Sequence, residues 1–243
     1  MRQKLLFLAT APLLWLQGKR VRATTPRLPE AAGERSGNAR QQPSLRLLLL
    51  GDSAIAGVGC ETQAEALTGQ LLQCLSDYQV QWQLVARSSL TCAGVFALLQ
   101  STELIAPKFD VVVISVGVND VTRRTSVQQW RRDLQRMTAY LQQQLGCQQV
   151  LYTELPPMHK FPALPQPLRW FVGNQARALN TALEEHCQSH SGAEVLSFDI
   201  PYRPEYLAKD GYHPSPAAAQ IWAAGAAQAI QQQFIVTTSG EEA

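Results

Sequence analysis

The sequence predicts an α/β protein, a three-layer αβα sandwich built on a central five-stranded parallel sheet. Three observations point there. Short apolar runs such as Leu45–Leu50 and Asp110–Val116 alternate with longer stretches whose apolar residues recur at helical spacing. That alternation is the pattern of right-handed β-α-β units, and strands apolar on both faces are those of a sheet covered by helices on each side. The two strongest runs also end abruptly in small and polar residues, Gly51-Asp52-Ser53 and Gly117-Val118-Asn119-Asp120. In open α/β sheets ligands bind at that carboxyl edge. Finally, the chain has 243 residues, 46% of them hydrophobic and 16% charged. Such a chain buries roughly 70% of its unfolded surface without a metal or disulfide staple.

Taken in order, the first strand is Leu45–Leu50. Thr62–Leu75 carries Ala66, Leu67, Leu71, Leu72 and Leu75 at helical spacing, and Gln81–Ala86 alternates Trp82, Leu84 and Ala86 as a second strand. A short helix covers Thr91–Gln100, and Pro107 separates it from the strand Asp110–Val116. Ser126–Leu145 has the clearest amphipathic stripe, with Val127, Trp130, Leu134, Met137 and Leu141 on one side and Gly146 at its end. Gln149–Thr153 is the fourth strand. A proline-rich loop spans Pro156–Pro167, a helix runs from Leu168 to His186, and Ala193–Phe198 is the fifth strand. An Ala-rich helix from Ser215 to about Gln232 precedes a tail, 237–243, expected to be disordered. His186 and His190 fall at a helix end, where positive charge suits the dipole.

The N-terminal segment differs in kind. Arg2 and Lys4 precede an apolar run of twelve residues, Leu5–Leu16. That is the length of a signal-peptide core and short for a membrane span. Lys19, Arg20 and Arg22 directly after it favour retention on the cytoplasmic side. Residues 1–23 therefore read as a signal peptide, an uncleaved anchor, an amphipathic membrane-surface helix or a helix docked on the domain. The first three imply a periplasmic or membrane-associated protein. Residues 24–43, rich in Pro, Gly, Arg and Ser, read as a linker or extended strap, and 44–236 as one catalytic domain.

Charge and cysteines narrow the function. A net charge of +2 with no basic stripe gives no reason to expect a nucleic-acid partner. The five cysteines are scattered and never spaced as CxxC, which argues against a zinc site and for buried or free thiols. Nucleotide binding at Gly57-Val58-Gly59-Cys60-Glu61-Thr62 fails on spacing, because the last glycine is missing and an acid sits where phosphate would lie.

What remains is a constellation. Ser53 follows the first strand, Asn119 follows the third, and the last loop carries Asp210-Gly211-Tyr212-His213-Pro214. A parallel sheet gathers these at one edge. The GDS, GVND and DGYHP blocks, present in that order, resemble the GDSL/SGNH hydrolase superfamily over the whole catalytic domain. The resemblance implies a flavodoxin-like αβα fold and cleavage of ester or thioester bonds through an acyl-serine, with no metal or cofactor. A serine hydroxyl needs a base within hydrogen-bond reach. His213 is that base, since a neutral imidazole takes a proton near neutral pH. Asp210, three residues earlier, is placed to orient the ring and stabilise its charged form. The resemblance further implies that Asn119 and the Ser53 N–H form an oxyanion hole, and Asp120 is expected to serve structure.

The second block departs from the family. No glycine follows the second strand until Gly94, which falls inside the predicted helix. By distance from that strand Ser89 takes the glycine's place, so its N–H is the expected third oxyanion donor. In the proline-rich loop, Phe161 and Leu164, with Leu168 and Trp170, are expected at an apolar lip for an acyl or aryl group, packing of the loop being the alternative. The substrate expected is a small-molecule ester or lysolipid. A carbohydrate O-deacetylase, or a binding protein that kept the fold, are the other readings.

Overall fold

The computed structural model describes the backbone of residues 2–201 and 203–240 and the side chains of 10–201 and 203–233. Its strands are β1 (Ser36–Gly37), β2 (Leu45–Gly51), β3 (Val80–Ala86), β4 (Val111–Ser115), β5 (Gln149–Thr153) and β6 (Ala193–Leu196). They form one sheet in the order β1-β3-β2-β4-β5-β6. The helices are α1 (Arg2–Thr24), α2 (Leu67–Cys74), α3 (Cys92–Ser101), α4 (Val118–Arg123), α5 (Val127–Gln143), α6 (Leu168–Gln188) and α7 (Pro216–Gly240).

The sheet has six strands, not five, because the strap adds β1. It pairs antiparallel with β3, Ser36 facing Gln83 and Gly37 facing Trp82. A two-residue edge strand has no periodicity to read. It also needs few apolar residues, since an edge is only partly covered. The other five strands run parallel, as expected.

Alternation along β2 shows why helices must cover both faces. Leu48 and Leu50 join Val112, Ile114 and Tyr152 in a core closed by α3, α5 and α6. Leu45, Leu47 and Leu49 face the opposite way, with Val111, Val113 and Leu151, under α2 and α7. The α5 stripe behaves as its spacing requires: Trp130, Leu134, Met137 and Leu141 are all fully buried.

Four further points depart from the expectations. The helix expected from Thr62 begins only at Leu67, the preceding residues forming turns that hold the strap through Gln63 N–H to Ala32 O (2.7 Å). The GVND block, read from the sequence only as following the third predicted strand, opens α4, a six-residue helix too short for a pattern to reveal. His186 is not a charged residue at a solvated helix end. It is 7% exposed, and burial, aided by nearby His190, pushes its pKa down to about 4. The last helix is longer than predicted and runs through Gly240, taking in the first residues of the expected tail; 241–243 lie outside the described residues.

The N-terminal segment is helical and docked. Leu14 of α1 is buried, Gln17 Nε2 donates to Gln166 O (2.7 Å), and Leu168 N–H donates to Gln17 Oε1 (3.1 Å). No described helix is long and apolar enough to cross a membrane.

Candidate active site

Strand register brings the site together. Gly51, at the end of β2, pairs with Ala86 on one side and Ser115 on the other, so three strands stop level. The loops leaving them are laced. Asp52 N–H donates to Ser115 O (3.1 Å), Arg87 N–H to Gly51 O (3.3 Å), and Arg123 of α4 to Ser89 O (2.9 Å). Ser53 follows β2, Ser89 follows β3, and Asn119 sits in the first turn of α4.

The fourth contributor is the loop between β6 and α7. Asp210, 5% exposed, accepts through Oδ1 from the N–H groups of Tyr212 (2.9 Å) and His213 (3.1 Å). Its Oδ2 accepts from His213 Nδ1 at 2.5 Å. Burial alone would raise the Asp210 pKa, but these hydrogen bonds outweigh it and hold the carboxyl below the usual range. A carboxylate only accepts, so Nδ1 carries the proton and Nε2 is left as an acceptor. It faces Ser53 Oγ at 2.8 Å. Hydroxyl, imidazole and carboxylate thus form one hydrogen-bonded chain, with the His213 side chain 26% exposed to solvent. Gly59 lets this loop approach. Its φ is +109°, and a Cβ there would collide with the Pro214 carbonyl and lie 2.9 Å from Ala208 Cβ.

Around the hydroxyl, the Ser53 and Ser89 N–H groups make no hydrogen bond among the described residues. Ser89 has φ +68°, the left-handed region that glycine adopts freely and other residues seldom do. The position thus keeps a glycine's conformation while carrying a serine. The Asn119 amide is aimed by Asp52, whose Oδ2 accepts from Asn119 Nδ2 at 3.0 Å. A second hydrogen remains on that nitrogen to donate elsewhere. Asp52 is 2% exposed, and burial pushes its pKa up to about 6 despite the Ala54 N–H, His213 and Asn119. Its role was not legible beforehand, although it lies inside the GDS block. Asp120 is structural as expected, its carboxylate accepting from Cys92 N–H (2.9 Å) and Thr125 Oγ1 (2.9 Å).

Phe161 and Leu164 do not form an open lip. They are 3% and 6% exposed and belong to the main core, Phe161 meeting the Tyr212 ring edge-on at 5.8 Å. A loop this rich in proline cannot bury its backbone in regular structure, so its apolar side chains anchor it instead. Through Tyr212, Phe161 packs against the Asp210–His213 loop. Of the residues expected at the lip, Trp170 stays exposed.

A serine hydroxyl, an imidazole and a carboxylate thus stand in one hydrogen-bonded row at the carboxyl edge of a parallel α/β sheet. The model of the GDSL-like lipase/acylhydrolase family matches residues 49–221, and the chain belongs to that family. A GDSL-like esterase of Mycobacterium tuberculosis is 27% identical over 184 residues, which are 72% of this chain and 58% of the relative. The chain thus spans little more than half the length of that curated relative. Among solved structures, a lipase/acylhydrolase from Enterococcus faecalis aligns with a TM-score of 0.58 at 19% identity, covering 78% of this chain and 96% of its own. An acetylxylan esterase from Geobacillus stearothermophilus aligns with a TM-score of 0.53 at 20% identity, covering 75% and 92%. At these identities the structures establish the shared fold.

Proposed function

We propose that this chain hydrolyses carboxylic esters or thioesters through an acyl-Ser53 intermediate. The observation that carries the reading is the unbroken chain Ser53 Oγ–His213 Nε2 (2.8 Å) and His213 Nδ1–Asp210 Oδ2 (2.5 Å). Ser53 Oγ attacks the carbonyl carbon while its proton passes to His213 Nε2. Negative charge gathers on the former carbonyl oxygen, where the N–H groups of Ser53 and Ser89 and the Asn119 amide donate. Collapse expels the alcohol or thiol, which takes the proton from His213. Water, deprotonated by His213, then releases the acid and regenerates the serine hydroxyl. Asp210 stabilises the imidazolium throughout and is not itself protonated.

For substrate, the acyl-ester reading extends to lysophospholipids through α1. Leu13, Trp15 and Leu16 are exposed on it, and Lys19 lies over the Trp15 ring at 5.3 Å. An apolar surface flanked by cations suits an anionic bilayer. A second reading, removal of acetyl groups from a carbohydrate, is favoured by the burial of Phe161 and Leu164, which withdraws both from contact with a long acyl chain. The structural resemblance to an acetylxylan esterase agrees with it.

A fluorophosphonate probe and a substrate panel test the proposal. The probe is expected to label wild type at Ser53 and to leave Ser53→Ala unlabelled. A folded wild-type protein that resists the probe would make this a binding protein on a hydrolase fold. Within the panel, p-nitrophenyl esters of increasing acyl length, lysophospholipid in anionic vesicles and an acetylated xylo-oligosaccharide separate the two substrate classes.

A further inference from the structure

The strap that precedes the catalytic domain reaches the candidate oxyanion hole. Glu30 Oε1 accepts twice from Ser88, from its N–H at 2.7 Å and its hydroxyl at 2.8 Å. The other oxygen, Oε2, accepts from Arg35 at 3.0 Å, and Arg35 in turn donates to the Ala86 carbonyl at the end of β3. Glu30 is itself held in place. Ala31 N–H donates to Ala56 O (3.2 Å), Ala32 N–H to Glu61 O (3.0 Å), and β1 pairs with β3 just beyond. Ser88 is the residue before Ser89, whose φ of +68° is disfavoured for any side chain. On the far side Arg123 holds the Ser89 carbonyl at 2.9 Å.

We infer that Glu30 is a positioning residue that holds the Ser88–Ser89 turn in its left-handed conformation, so that the Ser89 N–H faces the substrate oxygen. This rests on the acyl-Ser53 reading and deepens it. A glycine adopts this conformation without help. A serine needs its neighbours to impose it, since such conformations persist only where the surroundings over-determine them. The Glu30–Ser88 pair and the Arg123–Ser89 contact supply that constraint from both sides. The Ser88 and Arg35 hydrogen bonds outweigh burial and keep Glu30 below the usual carboxylate range, so it stays an acceptor over the working pH.

The test is epistasis in the full chain, read with p-nitrophenyl acetate and fluorophosphonate labelling. Glu30→Ala is expected to lower kcat by about tenfold or more with KM within about twofold, as loss of one aligned donor does. Glu30→Gln, which keeps an oxygen for Ser88, is expected to recover most of that loss. In a Ser89→Gly background, with that variant's own rate as reference, Glu30→Ala is expected to cost less than about threefold, because glycine no longer needs the constraint. Ser88→Ala removes one of the two bonds without touching the strap. It is expected to show a smaller loss, again suppressed by Ser89→Gly, and it serves if Glu30→Ala folds poorly. An unchanged kcat in both Glu30→Ala and Ser88→Ala, or equal losses in the serine and glycine backgrounds, would overturn the inference while Ser53→Ala remained inactive. Activity surviving in Ser53→Ala would overturn the underlying reading instead.

Discussion

Two histidines each sit 2.8 Å from a hydroxyl oxygen, yet their surroundings prepare them for opposite work. His213 Nε2 faces Ser53, Nδ1 is held by the Asp210 carboxylate, and the ring is partly open to solvent. His186 Nε2 faces Thr138 Oγ1, which also meets the Tyr152 hydroxyl at 2.8 Å, and the residue is buried between α5, β5 and α6. Among the described residues no carboxylate answers His186, and burial with the nearby His190 disfavours its charged form. Reach to a hydroxyl alone therefore does not equip a histidine to act as a base. A counter-charge on the far nitrogen and a path to solvent set His213 apart.

The largest effect that sharpens this contrast is expected at Ser53. Ser53→Ala is expected to lower kcat by about 10⁴-fold or more, whereas Thr138→Val, at the hydroxyl that faces His186, is expected to leave kcat within about twofold. Parallel assays on one ester read both; an equal loss in the two would erase the distinction. Next, Asp210→Asn is expected to cost about 10³–10⁴ in kcat, because the amide still accepts the loop N–H groups but presents the wrong partner to the imidazole. Retained melting temperature alongside lost turnover would show that the carboxylate acts on the ring and not on the fold.

Asn119→Ala is expected to lower kcat by about 10²–10³ as one oxyanion donor is removed. Asp52→Asn, which touches the oxyanion only through Asn119, is expected to cost less. A reversed order would make Asp52 more than an orienting group. At the buried histidine the effect moves from rate to stability. Thr138→Val strips partners from both His186 and Tyr152 and is expected to destabilise by about 1–3 kcal/mol in urea unfolding.

A last effect is seen only as a change with pH. His186 binds its proton at about 4 when folded, against 6.5 ordinarily. Between those values the unfolded chain takes up a proton that the folded one refuses. Its contribution is thus whole above about 6.5 and erodes as pH falls toward 4. Asp52 works oppositely, since its raised value of about 6, against 3.8, means the folded state gains a proton first. Comparing unfolding of wild type and His186→Gln across this window isolates the histidine. Identical slopes would show that it is not the group resisting protonation.

Legibility followed the range of the interactions. The β2 and β4 runs, the α5 stripe and the GDS, GVND and DGYHP blocks could be read because their information is local. Strand ends of a parallel sheet then had to meet at one edge. Ser89 was singled out only by its distance past β3; its φ of +68° is a feature that only the fold shows. The misreadings share one cause. Neighbours in the chain suggest open positions for Phe161, Leu164 and His186, but packing partners decide their burial. β1 and α4 were too short to show a period.

Residue order alone thus determined the layered α/β architecture and the identity of the hydroxyl, imidazole and carboxylate, because periodicity and strand-end motifs are written within a few positions. Only the folded molecule decided how those groups are aimed: Asp52 on Asn119, Glu30 on the turn that carries Ser89, Phe161 against Tyr212. These contacts join residues far apart along the chain, and their geometry exists only once the sheet has brought its loops to a common edge.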